Sequence, residues 1–576
     1  MNLGVLLGVS FIILLLGYVF YGRYLAKQWG VNLTEDAEPT PAHTQFDNVD
    51  FVPAKAPVLL GHHFSSIAGA GPINGPILAA FFGWLPVALW VLFASIFIGG
   101  AHDFGALYAS IKNRGSSIAA IIETSIGLRA RRLFIAFGYL TALIVVAAFS
   151  AIVANTFAAD VTTFGQIVYN ETSEANAVTA MISIWFLVVA VVFGYLVYCR
   201  KFPLGITTVF ALAALLFLMY FSLTYHPLYL SSTTWLFIIG AYIAIAALVP
   251  VWLLLQPRDY LSSFLLYSMM IIAIVGIFGL HPTTTMPAFT DSAFITKYSG
   301  LKGIFPALFI TIACGAVSGF HSLMSSGTTS KQLNKESDAL PIGYGSMLIE
   351  SFLAIIALCA IAYVWENEVA ILISGEKMST PIVIFARGLS RMVQVLFGSS
   401  ETVANLLYTF FVLSVSVFCL TSLDTVTRIA RYLFQEFWLA SGETLENVKG
   451  FKKILVNPYI ATLITVGFGL AFGYKGYTNI WPLFGATNQL LAALALLGVA
   501  SWLEHVGKNS RMLYLPMFFM LVVTLYSLIL SIKANYNMVV SGDAFWPATR
   551  LVIAILLFLL AIDLVLNVFV VKFRKK

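Results

Sequence analysis

Long apolar runs alternate with short polar segments over the whole chain. An α-helix rises about 1.5 Å per residue, so about twenty mostly apolar residues cross about 30 Å of hydrocarbon. Runs of that kind predict helices near 3–21, 55–82, 85–108, 132–157, 180–198, 204–224, 232–255, 260–280, 303–320, 342–364, 403–422, 455–474, 480–500, 512–533 and 548–570. Backbone amides find no water inside a bilayer, so such runs close their hydrogen bonds internally as helices. Strands of a membrane barrel would be shorter and would alternate polar with apolar. The pattern predicts an all-α polytopic membrane protein with about fifteen transmembrane helices. The first run reads as a retained helix: Met1-Asn2-Leu3 gives it no basic leader, and Gly22-Arg23-Tyr24 is no small-residue cleavage site.

Composition sharpens this. Of 576 residues, 60% are apolar and 10% charged, against about 25% charged in an average soluble domain. A water-soluble fold could not cover itself with so few charges. The four cysteines, Cys199, Cys314, Cys359 and Cys419, stand singly, without the paired spacing of a thiolate metal site or a disulfide framework. The net charge of +6 reads as topology and not as affinity for nucleic acid. With the N-terminus outside, fifteen helices leave the segments around 22–55, 110–131, 199–203, 256–259, 321–341, 423–454, 501–511 and 571–576 in the cytoplasm. Counting Arg132 at the helix border with Arg131, these segments hold 24 of the 32 Lys and Arg. Cytoplasmic loops retain positive charge during insertion, so the bias places the C-terminus, with its KFRKK ending, inside a cell membrane.

Two segments interrupt the apolar pattern with glycine, proline, histidine and hydroxyls: GHHFSSIAGAGPINGP at 61–76 and GAVSGFHSLMSSGTTS at 315–330. Both predict broken helices. Gly61, His63 and Gly69 match Gly319, His321 and Gly327 in a shared G-x-H-x5-G spacing. The first segment runs from inside to outside and the second in the reverse sense, the parity of an inverted repeat. Discontinuous helices in inverted repeats build the solute and ion sites of secondary transporters. Five helices counted from each break give 55–224 and 303–500 as two halves. Outside them lie residues 1–54, the two helices and outer loop of 225–302, and the two helices and basic tail of 501–576. This 5+5 arithmetic resembles the leucine-transporter-like core.

The strings GHHFSSIAGAGPINGP, GGAHDF, GAVSGFHSLMSSGTT, IGYGSMLIES, LTSLDTVTRIARY and WPLFGATNQLLAALAL together resemble the carbon starvation protein A family, from about residue 55 to 500. The resemblance implies inner-membrane uptake proteins for pyruvate or peptides, with protons as the coupling ion of the pyruvate carriers.

Ionisable side chains inside a membrane are costly and mark function or a paired site. His62, His63, His102, Asp103 and His321 fall at similar depth. Because histidine titrates near neutrality, they form a candidate proton-coupling cluster, joined by Glu350 near mid-membrane. The same His and Asp set is a candidate divalent-metal site, and each histidine could instead serve a carbonyl freed by a break. Asp424 is a further proton-coupling candidate, and it and Arg428 are spaced to meet on one helical face, as a gate or a helix-end closure. Thr421 and Ser422 are, by the leucine-transporter analogy, candidates for sodium. A solute carboxylate is expected at the half-helix N-terminus near Gly69, Gly71, Asn74 and Gly75, where free amides favour negative charge. Ser65, Ser66, Ser325, Ser326, Thr328 and Thr329 could supply further donors to solute or to exposed backbone. Asn488 and Gln489 could bind solute or bridge helices.

The sequence therefore predicts a proton-coupled symporter for pyruvate or small peptides, working by alternating access without a bound cofactor. The rival is a metal-binding membrane enzyme or nutrient sensor, which no nucleotide motif or soluble catalytic domain supports. Its partners are the solute and the lipid bilayer. The sequence leaves open pyruvate against peptide, proton against sodium, and the oligomeric state.

Overall fold

The structure, a computed structural model, describes residues 1–32, 38–48, 50–161, 166–299, 303–376, 378–439, 443, 447–474, 480–542 and 545–574. Lys575 and Lys576, part of the basic ending, lie outside them. Among the described residues the chain is helical, with three isolated bridges in place of a sheet. In chain order the elements used below are α1 (Leu3–Trp29), α2 (Ala56–Ala68), α3 (Gly71–Leu78), α4 (Trp84–Lys112), α5 (Ile118–Ser125), α6 (Leu128–Phe157), α7 (Thr172–Cys199), α8 (Leu204–Thr224), α9 (Ser232–Leu248) and α10 (Leu255–Leu280). They continue as α11 (Ala307–Thr311), α12 (Phe320–Gly327), α13 (Glu336–Ile373), α14 (Pro381–Phe397), α15 (Glu401–Trp438), α16 (Pro458–Gly473), α17 (Trp481–His505), α18 (Arg511–Val540) and α19 (Phe545–Val568).

Eleven of the described helices are long and apolar enough to cross a membrane: α1, α4, α6, α7, α8, α10, α13, α15, α17, α18 and α19. The other four predicted spans fall on the shorter apolar helices α9 and α16 and on two broken helices, α2–α3 and α11–α12. Several further helices escape a search for long apolar runs, two of them packed in the core. The first, α5, is eight residues long. The second, α14, carries Arg387 and Arg391 on one face while Ile384, Phe385, Leu389 and Met392 are buried on the other.

Both interruptions form, each for a local reason. The first comes at Gly69, whose φ of +45° is open mainly to glycine; α3 then starts at Gly71 with Pro72 in its first turn, where a missing amide costs nothing. The second departs from the expected helix over 303–320. Only Ala307–Thr311 is helical there, 312–319 is irregular, and α12 follows. The G-x-H-x5-G match therefore does not overlay break on break: Gly69 sits at the first interruption, whereas Gly327 ends α12.

The breaks touch one another. A Cβ added to Gly71 would sit 2.2 Å from the Cys314 Cβ, one on Gly315 3.2 Å from the Pro72 Cα, and one on Gly75 3.2 Å from the Ile312 Cα. Close approach of two irregular backbones thus fixes these glycines. Around them pack α4, α10, α13, α14, α15 and α17. α17 is buried along its length from Leu483 to Leu503, while α8 turns Val209, Phe210, Leu216 and Phe217 outward, as a lipid-facing helix does. Gly319 is the tightest point of the second break, since a Cβ there would lie 2.3 Å from the Asn488 carbonyl oxygen and 2.5 Å from the Ala492 nitrogen. Backbone cannot swing aside, so Gly319→Ala is expected to cost about 1–3 kcal/mol. A lower apparent Tm of the purified protein would register it, and an unchanged Tm would refute the packing.

Candidate functional site

The side chains that hold the second break come from one helix. Asn488 on α17 accepts from the Phe320 amide (2.9 Å) through its Oδ1, capping the start of α12, and its Nδ2 donates to the Ser318 hydroxyl (3.0 Å). Gln489 donates from Nε2 to the carbonyls of Phe309 (2.5 Å) and Ile312 (3.1 Å), at the end of α11. Adjacent amides thus satisfy both ends of the interruption, as buried backbone demands. Of the two uses open to Asn488 and Gln489, the geometry shows bridging.

Below the breaks lie two buried polar clusters. In the first, Asp103 on α4 is held between two imidazoles: His102 Nδ1 lies 2.7 Å from one carboxylate oxygen and His321 Nδ1, from α12, 2.8 Å from the other. The other nitrogen of His321 is 3.5 Å from Glu350 Oε2 on α13. Glu350 is fully buried, and neither of its oxygens has a hydrogen-bond partner among the described residues. His63 stands beside this group with Nδ1 2.8 Å from the Thr329 hydroxyl. His63, His102, Asp103, His321 and Glu350, scattered over almost 290 residues of sequence, are thus gathered at one level by α2, α4, α12 and α13.

The second cluster takes His62. Its Nδ1 lies 2.5 Å from Asp259 Oδ2 on α10, to which the Ser66 hydroxyl also donates (3.4 Å). The neighbouring Arg258 donates from Nη1 to Asp424 on α15 and to the Tyr242 hydroxyl (2.5 Å), and Tyr242 donates to Asp424 in turn (2.5 Å). This corrects two expectations. Residues 256–259 are not a cytoplasmic loop: Arg258 and Asp259 are in the first turns of α10 and buried. Nor do Asp424 and Arg428 pair. Arg428 reaches past Asp424 to the carbonyls of Ala246 and Val249 at the end of α9, and to Asp50 at 3.7 Å. An arginine from another helix, and not its own i+4 neighbour, pairs with Asp424.

The hydroxyls divide. Ser65 donates to the Gly61 carbonyl (2.7 Å), Ser326 to that of Ser322 (2.7 Å), Thr328 to that of Met324 (2.9 Å) and Thr421 to that of Val417 (3.2 Å), each within its own helix. Ser422 donates across to the Ser66 carbonyl (2.8 Å), fastening α15 to α2 just before the first break. The Ser325 hydroxyl and Asn74 Oδ1 are buried without a partner among the described residues. Gly69, Gly71 and Gly75 line the break itself. The five residues of the candidate metal set are split between the two clusters, and no group of three or more His, Cys, Asp or Glu is arranged to hold a metal ion among the described residues.

Residues 2–378 and 373–527 match the family described as carbon starvation protein CstA. The chain belongs to this family. A peptide transporter CstA of Campylobacter jejuni is 33% identical over 571 residues, covering 89% of this chain and 78% of that one. The pyruvate/proton symporter BtsT of Escherichia coli K12 is 32% identical over 559 residues, covering 84% and 75%. The crystal structure of MhsT in complex with L-phenylalanine aligns with a TM-score of 0.48 at 12% identity, over 83% of this chain and 98% of that one. With these CstA-family relatives and eleven apolar helices of spanning length, the chain is a multi-pass membrane transporter and not an enzyme.

Proposed function

We propose that this protein is a proton-coupled symporter that carries a small carboxylate-bearing solute, pyruvate or a small peptide, across the inner membrane by alternating access. The observation that carries the reading is Asp103 clasped by His102 and His321 with Glu350 beyond. Two buried carboxylates without a lysine or arginine among those contacts are tolerable only if protons or imidazolium charge offset them. Asp103 stands in the half 55–224, and His321 and Glu350 in the half 303–500, so a proton gained or lost there is felt by both.

The two halves would form a leucine-transporter-like inverted repeat, with fifteen crossings made by the eleven long helices, α9, α16 and the two broken helices. The N-terminus then lies outside and the C-terminus in the cytoplasm, as the basic residues require. The solute sits where the breaks cross, its carboxylate toward the start of α3 and the free atoms of Asn74 and Ser325 within reach of its remainder. Named functions of the relatives point to both solute classes.

Uptake of labelled pyruvate and of labelled dialanine into proteoliposomes tests this. An imposed inward proton gradient should drive saturable accumulation of one of them, collapsing with an uncoupler, while a sodium gradient alone should not. Accumulation driven by sodium, or none of either solute, would overturn the proposal.

A further inference from the structure

The second cluster holds an imbalance of charge. Arg258 supplies one positive charge, and Asp259 and Asp424 two negative ones; all three are buried, with Arg258 at 1% exposure. Tyr242 adds hydrogen bonds but no charge. Arg428, one turn along α15 from Asp424, is engaged with two carbonyls and with Asp50, so its charge already faces a carboxylate of its own. From the other helices packed on α2, α12 brings His321 and α13 brings Glu350, and both belong to the Asp103 group. The remaining titratable group is His62, with Nδ1 against Asp259 and Nε2 without a partner among the described residues.

We infer that the pair His62–Asp259 is a second proton-binding site, separate from the Asp103 group, so that two protons cross with each solute molecule. The inference rests on the symport reading above and adds the stoichiometry to it. In the neutral imidazole, Nδ1–H donates to Asp259 and the Nε2 lone pair is free. A proton added at Nε2 makes His62 an imidazolium, and the cluster then holds two positive and two negative charges, the arrangement a buried site favours. Loss of that proton leaves Arg258 as the one cation in contact with both Asp259 and Asp424, with Arg428 acting on Asp424 from farther off. No other bond changes.

The two sites are spatially distinct because His62 and His63, adjacent on α2, point about 100° apart around the helix: His63 faces Thr329, His62 faces α10. The location couples the site to movement. Ser66, one turn nearer the break, touches Asp259 (3.4 Å) and Thr425 (3.5 Å) and accepts from Ser422 through its carbonyl (2.8 Å). Charge at His62 therefore bears on the contacts that join α2 to α10 and α15 immediately before Gly69.

Accumulation ratios in proteoliposomes decide it. The membrane potential is clamped at zero with valinomycin and equal potassium, and labelled pyruvate and labelled dialanine are followed to steady state. Across about one pH unit, two protons per solute give an accumulation of about 100-fold and one proton about 10-fold, since each proton contributes the same gradient energy. The wild type should reach the higher ratio, and His62→Gln and Asp259→Asn the lower. A wild-type ratio near the lower value, or variants that accumulate solute like the wild type, would overturn the second site while leaving symport intact. No proton-driven accumulation in the wild type would remove both. The wild-type ratio needs no variant, so a misfolded substitution cannot hide the answer.

Discussion

Glu350→Gln should abolish proton-driven accumulation, by more than about tenfold, while exchange of labelled for unlabelled solute across the same liposomes continues. Glutamine keeps the size and most of the packing of the side chain but cannot take up or release a proton. Glu350 is fully buried in α13, 3.5 Å from His321, and neither oxygen is committed to another hydrogen bond among the described residues. Little structure should therefore be lost with its charge. Exchange requires the loaded carrier to reorient but not to return empty, so a carrier fixed in its protonated-like state still performs it. If Glu350→Gln accumulates solute like the wild type, the proton is held elsewhere and the Asp103 group is a structural network. If exchange is lost with uptake, Glu350 holds the fold or the solute instead.

How much of this was legible in the sequence depends on how far apart the partners lie. The breaks were visible because glycine and proline act locally: Gly69 takes a positive φ, and Gly71, Pro72, Gly75 and Pro76 crowd the residues that follow it. His62, His63, His102, Asp103, His321 and Glu350 were visible one by one because an ionisable residue in an apolar run needs a reason. Their division into two groups was not, because His62 and His63 are neighbours in sequence and diverge only when the helix is wound. Arg258 and Asp259 were hidden by the rule that exposed the topology: a short polar stretch, PRDY, between apolar runs reads as a loop. Their partners, His62 and Asp424, lie 197 and 166 residues away. The amphipathic α14 was missed for a similar reason, since a search for long uncharged runs passes over a helix carrying Arg387 and Arg391. The second break was displaced because its register depends on Asn488 and Gln489 from a helix about 170 residues later.

Arg258→Ala is expected to give the largest loss of stability in the molecule, about 3–5 kcal/mol, because removal of one partner from a buried ion pair leaves its carboxylates uncompensated. Arg258 Nη1 binds both Asp424 and Tyr242, and Nη2 lies 3.7 Å from Asp259 Oδ1, so alanine strands two acids at once. Thermal unfolding of the purified protein should show a markedly lower apparent Tm. Arg258→Lys should fall between, because a point ammonium keeps the charge but cannot serve Asp424 and Asp259 from the two arms of one planar group. The double variant Arg258→Ala with Asp424→Asn separates charge from packing. If the penalty is electrostatic, neutralising Asp424 restores part of the stability, and the two substitutions are strongly non-additive. Additive losses would mean that Arg258 contributes chiefly by filling space between α9, α10 and α15, and the charge balance that assigns a proton to His62 would lose its foundation.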